Sequence, residues 1–500
     1  MAQPDRRGGE PALTRPLVVV SNREPYIHSR SEGGSVTWSP TTGGVSVALD
    51  ALMRERGGVW IAHGAGDADR LAVDDDDRVR VPPDAPAYDL RRIWLTEAEE
   101  HHYYEGFANE GLWPLCHVAH VKPVFRTEDW RIYQSVNRRF AHTVHAELPD
   151  LAAPIFVQDY HLTLVPGFLR RLRPEARVAL FWHIPFPHPD QLRICPYRRE
   201  ILEGLADCDL LAFQLERDRR NFLSAARVEL GARGGGSRLR VGGRTMAVCA
   251  VPIGVDYDRI QAVTRAPAFE AEQTRLRREL RIDTALVGVG VDRLDYTKGI
   301  PERLSALDAL FTRWPGLNRQ LTFVQIAVPS RSTLDSYAAV EADIDRRVAE
   351  INAKHARADG VGPIRYRKSA LRMRRLTALY RLADFCIVSS LHDGMNLVAK
   401  EFVAAREDLG GVLVLSELAG AAQELTEAVI INPYDVEGFA DGLQLALDMQ
   451  HDERERRMRA LRRVVAGRDV FRWATEILEE LESLDSRALP PAPGRLPGRR

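Results

Sequence analysis

Short apolar runs alternate with helical stretches along nearly all of this 500-residue chain, and that alternation restricts the fold more than any other feature. The first series is residues 17–21 (LVVVS), 155–158 (IFVQ), 178–183 (VALFWH), 210–213 and 249–253. The second is 286–291, 321–327 (LTFVQIA), 385–389, 412–416 (VLVLS) and 429–432. Continuous apolar runs of this length suit strands buried on both faces. Strands that alternate with helices build parallel sheets covered by helices. The two series divide near residues 256–274, a polar stretch after 252–254. We expect an α/β fold of two Rossmann-like, doubly wound domains with a cleft between them. Such a cleft serves a two-substrate enzyme, one substrate from each half.

Composition removes several function classes. The formal net charge is −1, which provides no field to recruit nucleic acid or an anionic membrane. No apolar run reaches the roughly 18 residues that span a bilayer. The N-terminus has no apolar core of a signal peptide. Five scattered cysteines with no CxxC argue against a disulfide framework or a structural zinc, and for a cytoplasmic protein. Residues 1–15 and the proline-rich, basic stretch 487–500 read as disordered. The glycine-rich segment 232–245 reads as a surface hairpin or loop, and residues 452–467 as an Arg-rich helix with a solvated face.

Chemistry concentrates in four places. Residues 291–300 (VDRLDYTKGI) set Arg293 and Lys298 five apart, just past a strand-like run. A strand's carboxyl end is where open α/β sheets bind ligands, and two cations there suit a diphosphate. A pair of solvated surface cations is the competing explanation. Gly288 and Gly290 begin a G-x-G pattern, but Arg293 stands where a dinucleotide fold needs its third glycine. Residues 391–402 (LHDGMNLVAKEF) place Asp393 and Glu401 eight apart. Read as helix, that is a rise of roughly 12 Å, so the two carboxylates would hold two ends of one nucleotide-sugar. The N–H groups between them would favour anionic oxygen; a helix cap and an exposed Glu is the alternative. Asp159 (in VQDYHL) and His183 (in FWHIPFP) each follow a strand-like run and would face the cleft, with sugar hydroxyls or structural groups as partners. Finally, residues 21–23 (SNR) precede 41–49 (TTGGVSVAL), where glycines before a helical pattern would let backbone approach a ligand or simply turn the chain.

Taken together and in this order, VDRLDYTKGIPER, HDGMNLVAKEF, HIPFP, DYHL, SELAGAAQEL and INPYD resemble the trehalose-6-phosphate synthase family of retaining glycosyltransferases, from about residue 17 to 484. The resemblance implies a GT-B fold: an acceptor domain at 16–260, a nucleotide-sugar domain at 261–468, and a helix at 469–486 that returns to the first domain. It implies glucose transfer, with retention, from a nucleotide-glucose to glucose 6-phosphate. By motif, Arg293 and Lys298 would bind the donor diphosphate and, with Asp159 and His183, surround the reacting centre. Asp393 and the backbone of Gly394, Met395, Asn396, Leu397 and Val398 would hold the donor, Glu401 its ribose. Gly44 would lie in the loop closing over the donor. Arg23, Tyr104, Trp113 and Arg331 would bind the acceptor phosphate, beside His63 and Asp159. No metal or other cofactor is implied, and the partners are small substrates, with a homo-oligomer open.

Three positions depart from the family. His63 stands where many members carry a tryptophan, Gln158 replaces a His before Asp159, and His392 replaces an Arg before Asp393. They leave two other readings open. One is the same reaction on glycerol 3-phosphate or a cyclitol phosphate, although Arg331 favours glucose 6-phosphate. The other is a sugar-phosphate sensor without catalysis.

Overall fold

The computed structural model describes residues 16–484, apart from 32, 42–43, 120, 149–152 and 331–333. Arg331 and the ends at 1–15 and 487–500 lie outside the described residues. The strands of the first half are β1 (Leu17–Arg23), β2 (Tyr26–Arg30), β3 (Val36–Pro40), β4 (Gly58–His63), β5 (Arg78–Val81), β6 (Tyr88–Ile93), β7 (Pro154–Gln158), β8 (Arg177–Trp182), β9 (Leu210–Phe213), β10 (Arg238–Val241) and β11 (Arg244–Ala250). Those of the second are β12 (Leu286–Arg293), β13 (Leu321–Val328), β14 (Ile364–Arg367), β15 (Phe385–Val388), β16 (Val412–Ser416) and β17 (Val429–Ile431).

The first sheet runs β10-β11-β9-β8-β7-β1-β4-β6-β5, parallel except at its two edge strands. The second runs β14-β13-β12-β15-β16-β17 and is parallel throughout. Helices cover both, which is the two-domain α/β arrangement the alternation leads us to expect and the GT-B fold the resemblance implies. Central strands are apolar on both faces, as in β7, where every residue is buried. Three strands toward the sheet margin escaped the reading for continuous apolar runs. β6 (YDLRRI) is only half-buried on one face, so its pattern alternates instead. β4 and β5 flank it. The glycine-rich segment forms the β10–β11 hairpin, with Gly242 and Gly243 both at positive φ in its turn.

A further departure from the sequence expectation is a π-helix at His101–Leu112. Such a winding is rare and marks functional segments. The Arg-rich helix His451–Gly467 is not merely solvated, because Met458, Leu461 and Val465 are buried along one face.

The chain crosses between the two halves twice, and the crossings touch. Outward, it passes through residues 252–254; inward, through Arg468 and Asp469. A side chain on Gly254 would overlap the Arg468 carbonyl. Val470 N–H donates to the Val255 carbonyl. Buried Lys400 donates to the Ile253 carbonyl at 2.7 Å and pairs with Glu424 at 2.6 Å, tying the outward crossing to the second half. The inward crossing leads into the helix Val470–Ser483, whose Trp473 packs on Phe156 of β7 and Phe181 of β8. Arg177 at the start of β8 donates to the Glu482 carbonyl near its far end.

Trp473 is 1% exposed. Trp473→Ala should therefore cost about 3–5 kcal/mol, as large-to-small core changes do. Chemical denaturation followed by circular dichroism measures it, and a loss under about 1 kcal/mol would contradict this packing.

Candidate active site

The donor-side loop is shaped by one close approach. Gly299, at φ 61°, ends the turn that carries Lys298, and a Cβ there would overlap the Ser389 carbonyl. Ser389 in turn donates to the Gly299 carbonyl at 2.8 Å, so the loops after β12 and β15 lie against each other. Behind them, fully buried Arg303 pairs with Asp292 at 2.7 Å and donates to Gln325 at 2.9 Å and Ser389 at 3.0 Å. Gly290 exists to leave room for that guanidinium, since a Cβ would overlap Arg303 Nη1. The G-x-G of the sequence thus serves a buried arginine.

This packing brings Lys298 Nζ to 2.6 Å from Asp393 Oδ2. Ser390 and Asn396 donate to the same oxygen at 3.1 and 3.2 Å. Burial opposes ionisation of Asp393, but the Lys298 charge and these donors prevail and hold it well below the usual carboxylate range. Arg293 ends β12 with its guanidinium 5.4 Å from the Trp113 ring.

The Asp393–Glu401 segment is not helical throughout. The helix starts at Leu397, capped by the Asn396 side chain, which accepts from Ala399 N–H at 3.2 Å. Asn396 lies at φ 86°, and residues 393–396 fold back toward Lys298 rather than rising along an axis. The 12 Å helical rise expected between the carboxylates is therefore not what separates them. Gly394 presses on the His183 carbonyl, and Gly420, in AGAAQEL, presses on the Gly394 carbonyl. Met395 is buried, and its carbonyl accepts from Ala421 N–H at 2.8 Å. Leu397 and Val398 follow on the first turn, and Glu401 one turn later accepts from Tyr380 at 3.2 Å. Burial pushes the Glu401 carboxyl up to about 7.

Across the cleft, Asp159 follows β7 at φ 73°, a conformation that costs an L-residue about 1–3 kcal/mol and collects at functional sites. Its Oδ1 accepts the His183 N–H at 3.1 Å. The His183 ring lies 2.9 Å from Gln158 Oε1, and burial pushes its pKa down to about 3, so it is neutral. Gln158, a departure at sequence level, thus engages the neighbouring candidate.

The remaining wall is built by register. Arg23 and His63 are partners on the parallel strands β1 and β4. Arg23 donates to Tyr104 Oη at 3.0 Å, and Tyr103 donates to Asn22 at 2.9 Å. The π-helix turns these adjacent tyrosines onto adjacent residues of β1. Tyr104 stacks on His161 at 5.6 Å, and Asn109 donates to its carbonyl. His63 Nδ1 faces the Ile93 carbonyl at 3.1 Å. Trp113 stands on the next turn, packed on His117 at 4.0 Å. Gly44 begins the helix Gly44–Arg56. Thus Arg293, Lys298, Asp393 and Gly394 are brought to Trp113 and His183 on the opposite wall. Glu401 lies deeper in the second half, and Arg331 falls outside the described residues. Among those residues no three His, Cys, Asp or Glu side chains cluster as metal ligands.

Sequence reasoning missed Arg303, Asn22, Asn109 and Tyr103. Arg303 and Asn22 carried a signal, as the last residue of the quoted VDRLDYTKGIPER and the middle residue of SNR.

The sequence pattern of glycosyltransferase family 20 matches residues 15–483. The chain belongs to this family. Its family 20 relatives include the trehalose-6-phosphate synthase of Mycolicibacterium smegmatis, 40% identical over 478 residues, covering 94% of this chain and 92% of the relative. The Mycobacterium leprae synthase is 40% identical over 480 residues, covering 94% and 95%. Among solved structures, the E. coli one bound with UDP-2-fluoro glucose superposes with a TM-score of 0.83 at 31% identity, covering 94% of this chain and 99% of that one. The UDP-forming α,α-trehalose-phosphate synthase of Burkholderia xenovorans in complex with glucose 6-phosphate gives 0.83 at 32% identity, covering 94% and 100%.

Gly299→Ala combines an overlap with backbone oxygen and a strained φ. It should lower stability by about 1–3 kcal/mol and displace Lys298. A thermal midpoint equal to wild type would show that the two loops do not pack this way.

Proposed function

We propose that this family 20 glycosyltransferase moves glucose from UDP-glucose to glucose 6-phosphate with retention, giving trehalose 6-phosphate and UDP. The observation that carries this is the Arg293–Trp113 contact. It sets a cation of the donor loop against the wall where Arg23 and Tyr104 meet. A guanidinium and a phenol converging at 3.0 Å suit a phosphate dianion, and Arg331 would add a second guanidinium.

In this reading Arg293 and Lys298 bind the donor diphosphate. The Lys298–Asp393 pair opens as the diphosphate takes the ammonium and a glucose hydroxyl takes the carboxylate. The 394–398 backbone holds the donor from the helix N-terminus, and Glu401 accepts from the ribose. Gly44 lies in the segment closing over the donor. Neutral His183 meets the donor sugar, and Asp159 contacts hydroxyls near the anomeric carbon.

Retention by double displacement needs a free carboxylate beside that carbon. Asp393 is tied by Lys298, Ser390 and Asn396, and Asp159 by the His183 N–H. We favour same-face attack, in which the anomeric C–O bond to the diphosphate breaks as the acceptor hydroxyl attacks. The departing diphosphate oxygen takes that hydroxyl's proton. Arg293 and Lys298 stabilise the charge that develops on it. The scheme routes no step through a metal. The thiols of all five cysteines are free, which fits a reducing, cytoplasmic setting.

A second acceptor remains a reading because of one atom. His63 is 8% exposed, and its Nε2, 4.0 Å from Glu100 Oε2, has no hydrogen-bond partner among the described residues; an imidazole can accept there, whereas an indole can only donate.

The test is a panel of nucleotide-glucoses and acceptors, scored by nucleotide release and product mass. UDP release with glucose 6-phosphate is expected. Release only with another phosphorylated acceptor would overturn the acceptor assignment, and none at all would return the chain to a sensor. Lys298→Ala should lose on the order of 10²–10³ in kcat, and near-normal turnover would refute its role. Because burial raises Glu401 to about 7, it is protonated below that pH and accepts poorly from a ribose hydroxyl. The donor KM should rise as pH falls from 8 to 6, and Glu401→Gln should flatten that rise.

A further inference from the structure

The residue before Asp393 is His392, where the family pattern has an arginine. In the fold this ring is held entirely by the other domain. Val118 N–H donates to Nδ1 at 3.2 Å, and Arg217 Nη2 lies 3.4 Å from Nε2. The His117 ring meets it edge-on at 6.2 Å. Arg217 is the second residue of the helix Glu216–Leu230 in the first half, half-exposed and 3.8 Å from Asp218. Burial, and then the Arg217 charge, push His392 down to about 4, so the imidazole is neutral. A neutral imidazole has one lone pair, so it accepts either from Val118 N–H at Nδ1 or from Arg217 at Nε2, according to the tautomer, and not from both. A protonated ring would accept from neither.

This arrangement explains the departure. An arginine at 392 would set its guanidinium against that of Arg217, and like charges at contact distance are costly.

We propose that Arg217 and His392 act as a pair, with His392 a positioning residue that docks the Asp393 loop on the acceptor domain by accepting one N–H, from Arg217 or from Val118, and with Arg217 the reason that position 392 is not an arginine. Resting on the reading that Asp393 holds the donor glucose, the pair makes that carboxylate's placement depend on closure of the cleft. Its loss should lower turnover more than donor affinity, because the donor loop itself stays intact. Neither side chain touches substrate in this account.

The experiment is a double-mutant cycle on the full chain with kcat and both KM values measured. Arg217→Ala and His392→Ala should each lower kcat about tenfold, with donor KM changed less than threefold. The double variant should be no worse than the poorer single, as for residues in direct contact. His392→Arg alone should be poorer than His392→Ala, and R217A/H392R should recover at least half of the lost kcat. A merely structural pair would not give that rescue, and thermal midpoints identify any variant that fails to fold. Additive losses, or a His392→Arg single with wild-type turnover, would overturn the proposal. An Asp393→Ala control separates the two readings. If it keeps activity, the donor site is wrongly placed. If it is inactive while the cycle is additive, only the Arg217–His392 pairing fails.

Discussion

The second half's wall of the cleft depends on one buried cation. Arg303 has no contact with solvent, yet it pairs with Asp292 of β12 and donates to Gln325 of β13 and to Ser389 after β15. A charge so placed is tolerated only when its partners are close and well aligned. That requirement fixes the relative height of three neighbouring strands at their carboxyl ends. Ser389 then passes the constraint to the Gly299 carbonyl, and so to the turn that presents Lys298. The Lys298–Asp393 pair is a downstream result of this clamp, not an independent contact.

The wall of the first half has a comparable support. Arg92, also fully buried, reaches Glu24, Asp69, His28 and the Tyr26 carbonyl, all within 3.0 Å. Burial, followed by the hydrogen bond to Asp69, raises Glu24 to about 8. Asp69 is pulled to about 2 despite its own burial, by His28 and Glu24. One proton shared between two carboxylates thus leaves a single ion pair with Arg92. The network lies directly behind Arg23, and Glu24 also accepts the Ala65 N–H just past His63. Rigidity on both walls holds the partners of the site cations in place: Asp393 for Lys298, Trp113 for Arg293 and Tyr104 for Arg23.

Much of this could be read in the sequence, for physical reasons. Doubly buried parallel strands must be continuously apolar, so their runs and the division into two halves were visible. Loop motifs such as VDRLDYTKGI combine a glycine that only one backbone conformation explains with charges that need a ligand. Three kinds of feature were hidden. β6 shows one polar face, so it lacks a continuous run. The π-helix arises from packing, and nothing in HHYYEGFANEGL announces its winding. Contacts such as Lys298–Asp393 and His392–Arg217 join residues far apart in the chain, 95 and 175 positions respectively. Spacing along the sequence is silent about them, and it misled for Asp393 and Glu401, where a turn replaced the expected helix.

The paired crossings at residues 252–255 and 468–470 make the second half a closed loop in the chain, its entry and exit pinned together by the Val470–Val255 hydrogen bond. Topologically it is an insert in the first half. A module with adjacent ends can be exchanged for a relative's without rerouting the host chain. The surfaces such a graft must match include the Lys400 tether to Ile253, the Arg293–Trp113 and Gly394–His183 contacts and the His392 dock. The two sheets therefore sit on separately replaceable parts of one polypeptide, free to diversify at different rates.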